Sequence, residues 1–173
     1  MKDKEKREIL EKVEKNAVEA QLRDDTCARS TLHGLQTCFP FIPAEMVAAS
    51  WCFSGGVASS SGSCGALCSG LLAIGAKYLP TMDEVASGSE EARRKFEKGK
   101  EKIFAFREAF MKEFGTTLCP EVQRKIFGRS YNLLDDKERE EFLSLPGHKE
   151  KCAAVVAKAA RMAAEIILDD AES

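Results

Sequence analysis

The sequence predicts an all-α protein: a single-domain multi-helix bundle with an N-terminal helical arm. Three observations carry that expectation. Apolar residues recur at helical spacing along most of the chain, and no alternating apolar–polar run of useful length occurs. Gly, Pro and Asp residues interrupt the pattern where helices must stop. At 173 residues the chain is long enough to bury one core. Residues 1–24 are expected as an amphipathic helix and residues 25–170 as the helical domain, because no loop is long enough to divide it further.

The elements follow in order. Ile9, Val13, Ala17 and Ala20 form a narrow apolar stripe. It can dock on its own domain or on a second copy, and a homodimer is the expectation. Asp24, Asp25 and Thr26 cap a second helix running from about Cys27 to Cys38, which the "FPFIP" stretch ends because proline cannot sit inside a helix. Ala44 to Phe53 reads as a third helix, ended by Gly55-Gly56. After the Gly/Ser loop, which reads as a site-access loop or linker, a fourth helix spans Cys64 to Tyr78. Its bulky face carries Leu67, Leu71, Ile74 and Tyr78; its small face carries Ala66, Ser69, Gly70, Ala73 and Ala76, which lets another backbone approach. A long helix from Ser89 to Phe114 follows, with Phe106 and Phe110 on one side and Gly115 at its end. Pro120 opens a short helix closed by Gly128, "DDKEREEFLSL" reads as another, and the last spans Lys149 to Leu168.

Composition narrows the function. Lys and Arg number 26 against 28 Asp and Glu, so no basic excess exists to bind nucleic acid. No apolar run reaches the length of a bilayer span, so no membrane partner is expected. The N-terminal "MKDKEKREILEKVEKN" has no signal-peptide apolar region, which points to the cytoplasm.

The anomaly is seven cysteines. In a reducing compartment stable disulfides are rare, so such a count points to metal or redox chemistry, against the plain alternative of small buried hydrophobes. Four of them fall where helices begin. Cys27 follows Asp-Asp-Thr, Cys64 follows Ser-Gly-Ser, Cys119 precedes Pro120, and Cys152 lies in the opening turns of the last helix. The unpaired amides and positive dipole end of a helix favour thiolate, by about 0.3–1 kcal/mol each, so low thiol pKa values are expected. Four bare thiolates repel, and an iron–sulfur cluster, zinc or a disulfide would relieve them. Cys68, one turn after Cys64, is a resolving thiol, a spare ligand or a packed small residue. Cys38 and Cys52 read as core packing, and His33 and His148 as surface or hydrogen-bonded residues.

Several readings stand on these residues. One is a small redox protein holding an iron–sulfur cluster on Cys27, Cys64, Cys119 and Cys152 for electron transfer with an unknown redox partner. A second is a thiol–disulfide oxidoreductase with Cys64 as nucleophile and Cys68 or another thiol resolving it. A structural zinc site on the same four cysteines is a third, and a helical interaction protein with merely packed cysteines a fourth.

A resemblance adds to this. "CGALCSG" at Cys64 to Gly70, "FGTTLC" at Phe114 to Cys119 and the "CAAVVAKAARMAAEI" helix resemble the C-GCAxxG-C-C family of redox-active proteins, over about Cys27 to Ile167. The resemblance implies that the family's four defining cysteines correspond to Cys27, Cys64, Cys119 and Cys152. It also implies similarity to the cysteine-bearing region of split-Soret cytochromes c, where four cysteines are suggested to hold an iron–sulfur centre; the haem attachment motif has no counterpart here. The motif's closing Gly falls at Ser69 in this chain, with Gly70 one residue later.

Overall fold

Helical periodicity becomes nine α-helices among the described residues, with no strand. The computed structural model describes residues 3–169; Met1, Lys2 and the expected domain end at Asp170 lie outside them. The helices are α1 (Asp3–Asp24), α2 (Cys27–Gln36), α3 (Ala44–Ala49), α4 (Gly65–Tyr78), α5 (Met82–Ser87), α6 (Glu90–Phe114), α7 (Cys119–Phe127), α8 (Asp136–Ser144) and α9 (His148–Leu168). The expected third helix stops early, because Ser50–Phe53 tightens into a 3-10 turn. Helix α5 is absent from the sequence reading, although its signal is present. Thr81 Oγ1 accepts from the Glu84 amide at 3.2 Å, and the Thr81 amide donates to Glu84 Oε2 at 2.7 Å, a reciprocal cap encoded by Thr-x-x-Glu.

The apolar stripes decide the packing. Helix α9 buries Val156, Ala159, Ala160 and Ala163 against α1, α2, α4 and α6. Small residues along α9 let these neighbours come close, and Phe106, Phe110, Leu32, Leu35 and Ile74 fill the centre. Helix α1 is part of this bundle rather than a free arm. Leu10, Val13, Ala17 and Ala20 are buried, and α1 packs on α9 and α2 of its own chain. Its crossing with α2 needs Gly34, where a Cβ would stand 2.5 Å from Ala17 Cβ and 2.8 Å from the Val13 carbonyl oxygen.

The small face of α4 serves two neighbours. Ser69 is fully buried and donates its hydroxyl to the Ala28 carbonyl of α2 at 2.8 Å. One residue on, Gly70 lies against the ring of Phe106 in α6. The shift from Gly to Ser at position 69 is therefore accommodated by a hydrogen bond, and the place that requires glycine is position 70.

Between the 3-10 turn and α4, the chain runs through Gly55, Gly56, Val57, Ala58 and Ser59 with every φ positive. This is a left-handed turn, closed by the Ala58 amide donating to the Cys52 carbonyl at 2.7 Å and the Gly62 amide donating to the Gly56 carbonyl at 2.8 Å. Left-handed backbone costs an L-residue roughly 1–2 kcal/mol, and most of all a β-branched one such as Val57 at φ +61°. Val57→Gly is expected to stabilise the chain by about 0.5–1 kcal/mol in urea melts, the relieved strain exceeding the added freedom of the unfolded glycine. An unchanged or lowered midpoint would mean that Val57 packing outweighs its strain.

Candidate functional site

Four separate helix starts face one cavity of about 330 Å³, and Cys27, Cys64, Cys119 and Cys152 all line it. Each arrives by a local device. Cys27 is the first residue of α2, reached through Asp25, which turns the chain at φ +51°. Cys64 is the N-cap of α4. Cys119 opens α7 ahead of Pro120, whose missing N–H costs nothing in a first turn. Cys152 lies one turn into α9.

Two of the four are pinned to each other by backbone. The Cys64 amide donates to the Thr117 carbonyl at 2.8 Å, and the Cys119 amide donates to the Gly62 carbonyl at 2.9 Å. These bonds make an isolated antiparallel bridge between Ser63 and Leu118. Glycines then clear space for the sulfurs. A Cβ on Gly65 would stand 2.8 Å from Cys27 Sγ, and one on Gly56 would stand 2.9 Å from Cys119 Cβ. The Gly after Cys64 therefore leaves room for the Phe53 carbonyl oxygen, 2.7 Å from such a Cβ, as well as for the Cys27 thiol.

The thiols are not the low-pKa group expected from their helix mouths. Burial pushes Cys27 up, opposed by the Gly55 amide, the Ser54 hydroxyl and the Ala28 amide. Burial pushes Cys64 well above the ordinary thiol value, and the neighbouring Cys27 and Cys119 add to it against the amides of Leu67 and Ala66. Cys119 is pushed up to about 12, by burial and then by Cys27, although Gln123 Nε2 lies 3.6 Å from its sulfur. Cys152 is raised by burial, then by Cys27, Asp25 and Cys119. The reason is a comparison of sizes. Desolvating a charge costs several kcal/mol, while a helix end returns about 0.3–1 kcal/mol, and each thiolate works against the others. Without a cation the site holds neutral thiols.

This has a measurable sign. A thiol whose folded value lies above its ordinary 9.0 favours folding fully below pH 9 and loses that contribution as pH climbs towards 12. The metal-free chain is therefore expected to lose stability steadily between pH 9 and 12. At pH 8 the Cys119 thiolate fraction is about a thousandfold below that of an ordinary thiol. Exposed Cys52 should take iodoacetamide at least about a hundredfold faster than Cys119, read by mass spectrometry. Equal labelling rates would contradict a half-buried, protonated Cys119.

The remaining cysteines divide differently from the sequence reading. Cys52, expected in the core, is exposed. Cys38 packs against the core away from the cavity, with Thr37 Oγ1 at 3.8 Å. Cys68 is half-buried and does not line the cavity, though it is close enough to Cys27 and Cys52 for both to raise its pKa after burial has done so. Among the described residues, no three His, Cys, Asp or Glu side chains are arranged around a single metal ion. The four sulfurs border a volume rather than meet at a point.

One part of the wall is invisible in the sequence. His148 Nε2 lies 3.1 Å from Asp25 Oδ2, and Gln21 Nε2 donates to Asp25 Oδ1 at 2.8 Å. All three residues line the cavity. Asp25 has the signal of a helix cap and His148 that of a hydrogen-bonded residue; a pairing across most of the chain leaves no local trace. No described helix is long and apolar enough to cross a membrane.

The family model described as "Putative redox-active protein (C_GCAxxG_C_C)" matches residues 26–166, a span that includes all four cavity cysteines. No curated protein and no solved structure matches the chain.

Proposed function

The chain belongs to the C_GCAxxG_C_C family, and on that premise we propose that it is a small redox protein whose four cavity thiols hold an iron–sulfur cluster for electron transfer. The observation that carries this reading is the meeting of Cys27, Cys64, Cys119 and Cys152 at one cavity. The donor set fits, since thiolates are the usual ligands of such clusters. The space is compatible as well: a cavity of about 330 Å³ with four cysteines among its lining residues can take a group of several atoms. When bound, a cluster supplies reversible one-electron chemistry.

The chain's own residues would supply the rest. The amides of Gly55, Ala28, Ala66 and Leu67 and the side chain of Gln123 are placed to donate to the sulfurs. Such bonds spread the negative charge and raise a reduction potential. Val122, Ile126, Phe127 and Val155 supply apolar surface to the same cavity. Metal binding replaces the thiol protons, so loading releases protons and becomes tighter as pH rises. Burial of Cys64 weighs against its use as a free thiolate nucleophile, because little thiolate exists near neutral pH.

The test is anaerobic purification and reconstitution, followed by iron and labile-sulfide analysis and a visible spectrum. The expected result is brown protein with comparable iron and sulfide. Colourless protein without iron or sulfide after reconstitution overturns the reading, and zinc in their place would assign the site to that metal.

A further inference from the structure

Residues 54–62, between the 3-10 turn and α4, are a stretch of cavity wall that is not helix. One side of it faces the thiols. Ser54, Gly55, Ala58 and Ser59 line the cavity. The Gly55 amide and the Ser54 hydroxyl are placed on the Cys27 sulfur, and a Cβ on Gly56 would stand 2.9 Å from Cys119 Cβ. The other side is wet, with Val57, Ala58, Ser60 and Ser61 exposed. Ala58 belongs to both sides, so the wall here is one chain thick.

That chain is held in an unfavourable conformation. Val57, Ala58, Ser59 and Ser61 sit at φ +61°, +49°, +62° and +60°, where side chains crowd the backbone and a β-branched one does so most. What opposes the strain is local. The amides of Val57, Ala58 and Ser59 donate to the carbonyls of Phe53, Cys52 and Ser54, and the Ser60 hydroxyl donates to the Val57 carbonyl. Water replaces such bonds at small net loss when an exposed turn unwinds. Apolar burial adds little, since Val57 is itself 39% exposed. The helical walls are different: Val122 of α7 and Val155 of α9 are buried. A segment with exposed hydrogen bonds and few buried contacts opens before the helices around it. Strain held in place by its surroundings is also what a moving part of a site requires.

We infer that residues 54–62 form a strained gate over the cavity thiols, and that unwinding of this left-handed turn is the route by which ions and small molecules reach them. The strain belongs to the closed form alone, so it makes opening more frequent than it would be in a relaxed loop of the same length. The gate concerns access to the sulfurs whatever they carry; it goes beyond the cluster proposed above and does not rest on it.

The test is iodoacetamide labelling of the metal-free full chain at pH 8 without denaturant. Initial rates are read by mass spectrometry at Cys64, which lines the cavity and is 5% exposed. Val57→Gly relieves the closed form, so the open population should fall about two- to fivefold, the fold-change that matches the stabilisation expected of this variant above. Labelling of Cys64 should slow by that factor, and so should hydrogen exchange of the Ala58 and Ser59 amides. Gly75→Ala is the control. It lies on α4 outside the cavity lining, its Cβ meets only Leu79 Cδ1 at 3.5 Å, and it favours the whole fold through helix propensity. Local opening predicts unchanged Cys64 labelling in that variant. Equal slowing in both variants would mean that the thiols are reached by global unfolding. Labelling that Val57→Gly does not slow would mean that they are reached without the turn. Either result overturns the gate. Iron is absent throughout, so the outcome is separate from the cluster: a working gate on protein that takes up no iron keeps this inference and loses that reading, and iron-loaded protein whose labelling ignores Val57→Gly does the reverse.

Discussion

Cys119→Ser is expected to cut the iron and sulfide retained after anaerobic reconstitution by at least about tenfold, and Cys27→Ser, Cys64→Ser and Cys152→Ser should do the same. Losing a mere hydrogen-bond partner of a metal ligand commonly costs about 10–100-fold in affinity, and the proposed function makes these four residues the ligands themselves. Serine removes the sulfur and leaves a group that does not readily ionise. The fold should survive, because Cys119 is only partly buried and its Gln123 neighbour also bonds the Tyr131 amide at 2.8 Å. Cys38→Ser and Cys52→Ser are the controls. One packs away from the cavity and the other is exposed, so both should retain iron fully. Cys68→Ser discriminates further, since its thiol stands near Cys27 without lining the cavity. Full retention of iron in all four cavity variants would sink the cluster reading, whatever the spectrum of the unaltered chain.

The second large effect lies in the packing that holds α4 in place. Gly70→Ala should destabilise the protein by about 3 kcal/mol, at the upper end of ordinary overpacking. The new Cβ would fall 2.2 Å from Phe106 Cζ and 2.5 Å from Cε1. Phe106 is fully buried and packs with Phe110 at 6.4 Å between centroids, so its ring cannot swing aside. Helix α4 supplies its own control. At Gly75 the nearest atom to an added Cβ is Leu79 Cδ1 at 3.5 Å, an ordinary contact, and Gly75→Ala should stabilise by up to about 1 kcal/mol through helix propensity. Urea melts of the two variants should therefore shift in opposite directions. A Phe106→Leu background should recover part of the Gly70→Ala loss; strict additivity would show that the ring is not what the methyl meets.

Much of the architecture can be read from the chain because its helix boundaries are chemically marked. Pro120, Gly115, Gly128 and the capping run Asp24 to Thr26 place helix ends within a residue or two. The same marks locate the four cysteines, since a thiol beside a cap or a first-turn proline must lie at a helix mouth. What escapes the sequence depends on distant neighbours. The helix dipole is a local effect and speaks for thiolate, whereas burial, which outweighs it, exists only once α7 and α9 close over the cavity. Cys52 looks like core because Trp51 and Phe53 flank it, yet the 3-10 turn rotates it outward. The Asp25–His148 pair joins one end of the domain to the other. Helix α5 escapes for a simpler reason: its six residues offer no apolar stripe, and only its capping box marks it.

The four cysteines come from widely separated points of the polypeptide, and Cys152 belongs to the last of the described helices. On the proposed function, a ribosome-bound chain lacks the complete cysteine set until the segment carrying Cys152 has emerged, so a cluster held by all four would form only after that point. Once formed, it would act as a four-way crosslink between remote segments, restricting the denatured ensemble as a set of long disulfide loops does. Loading and folding would then rise and fall together, and a chelator would lower the melting temperature as well as bleach the protein.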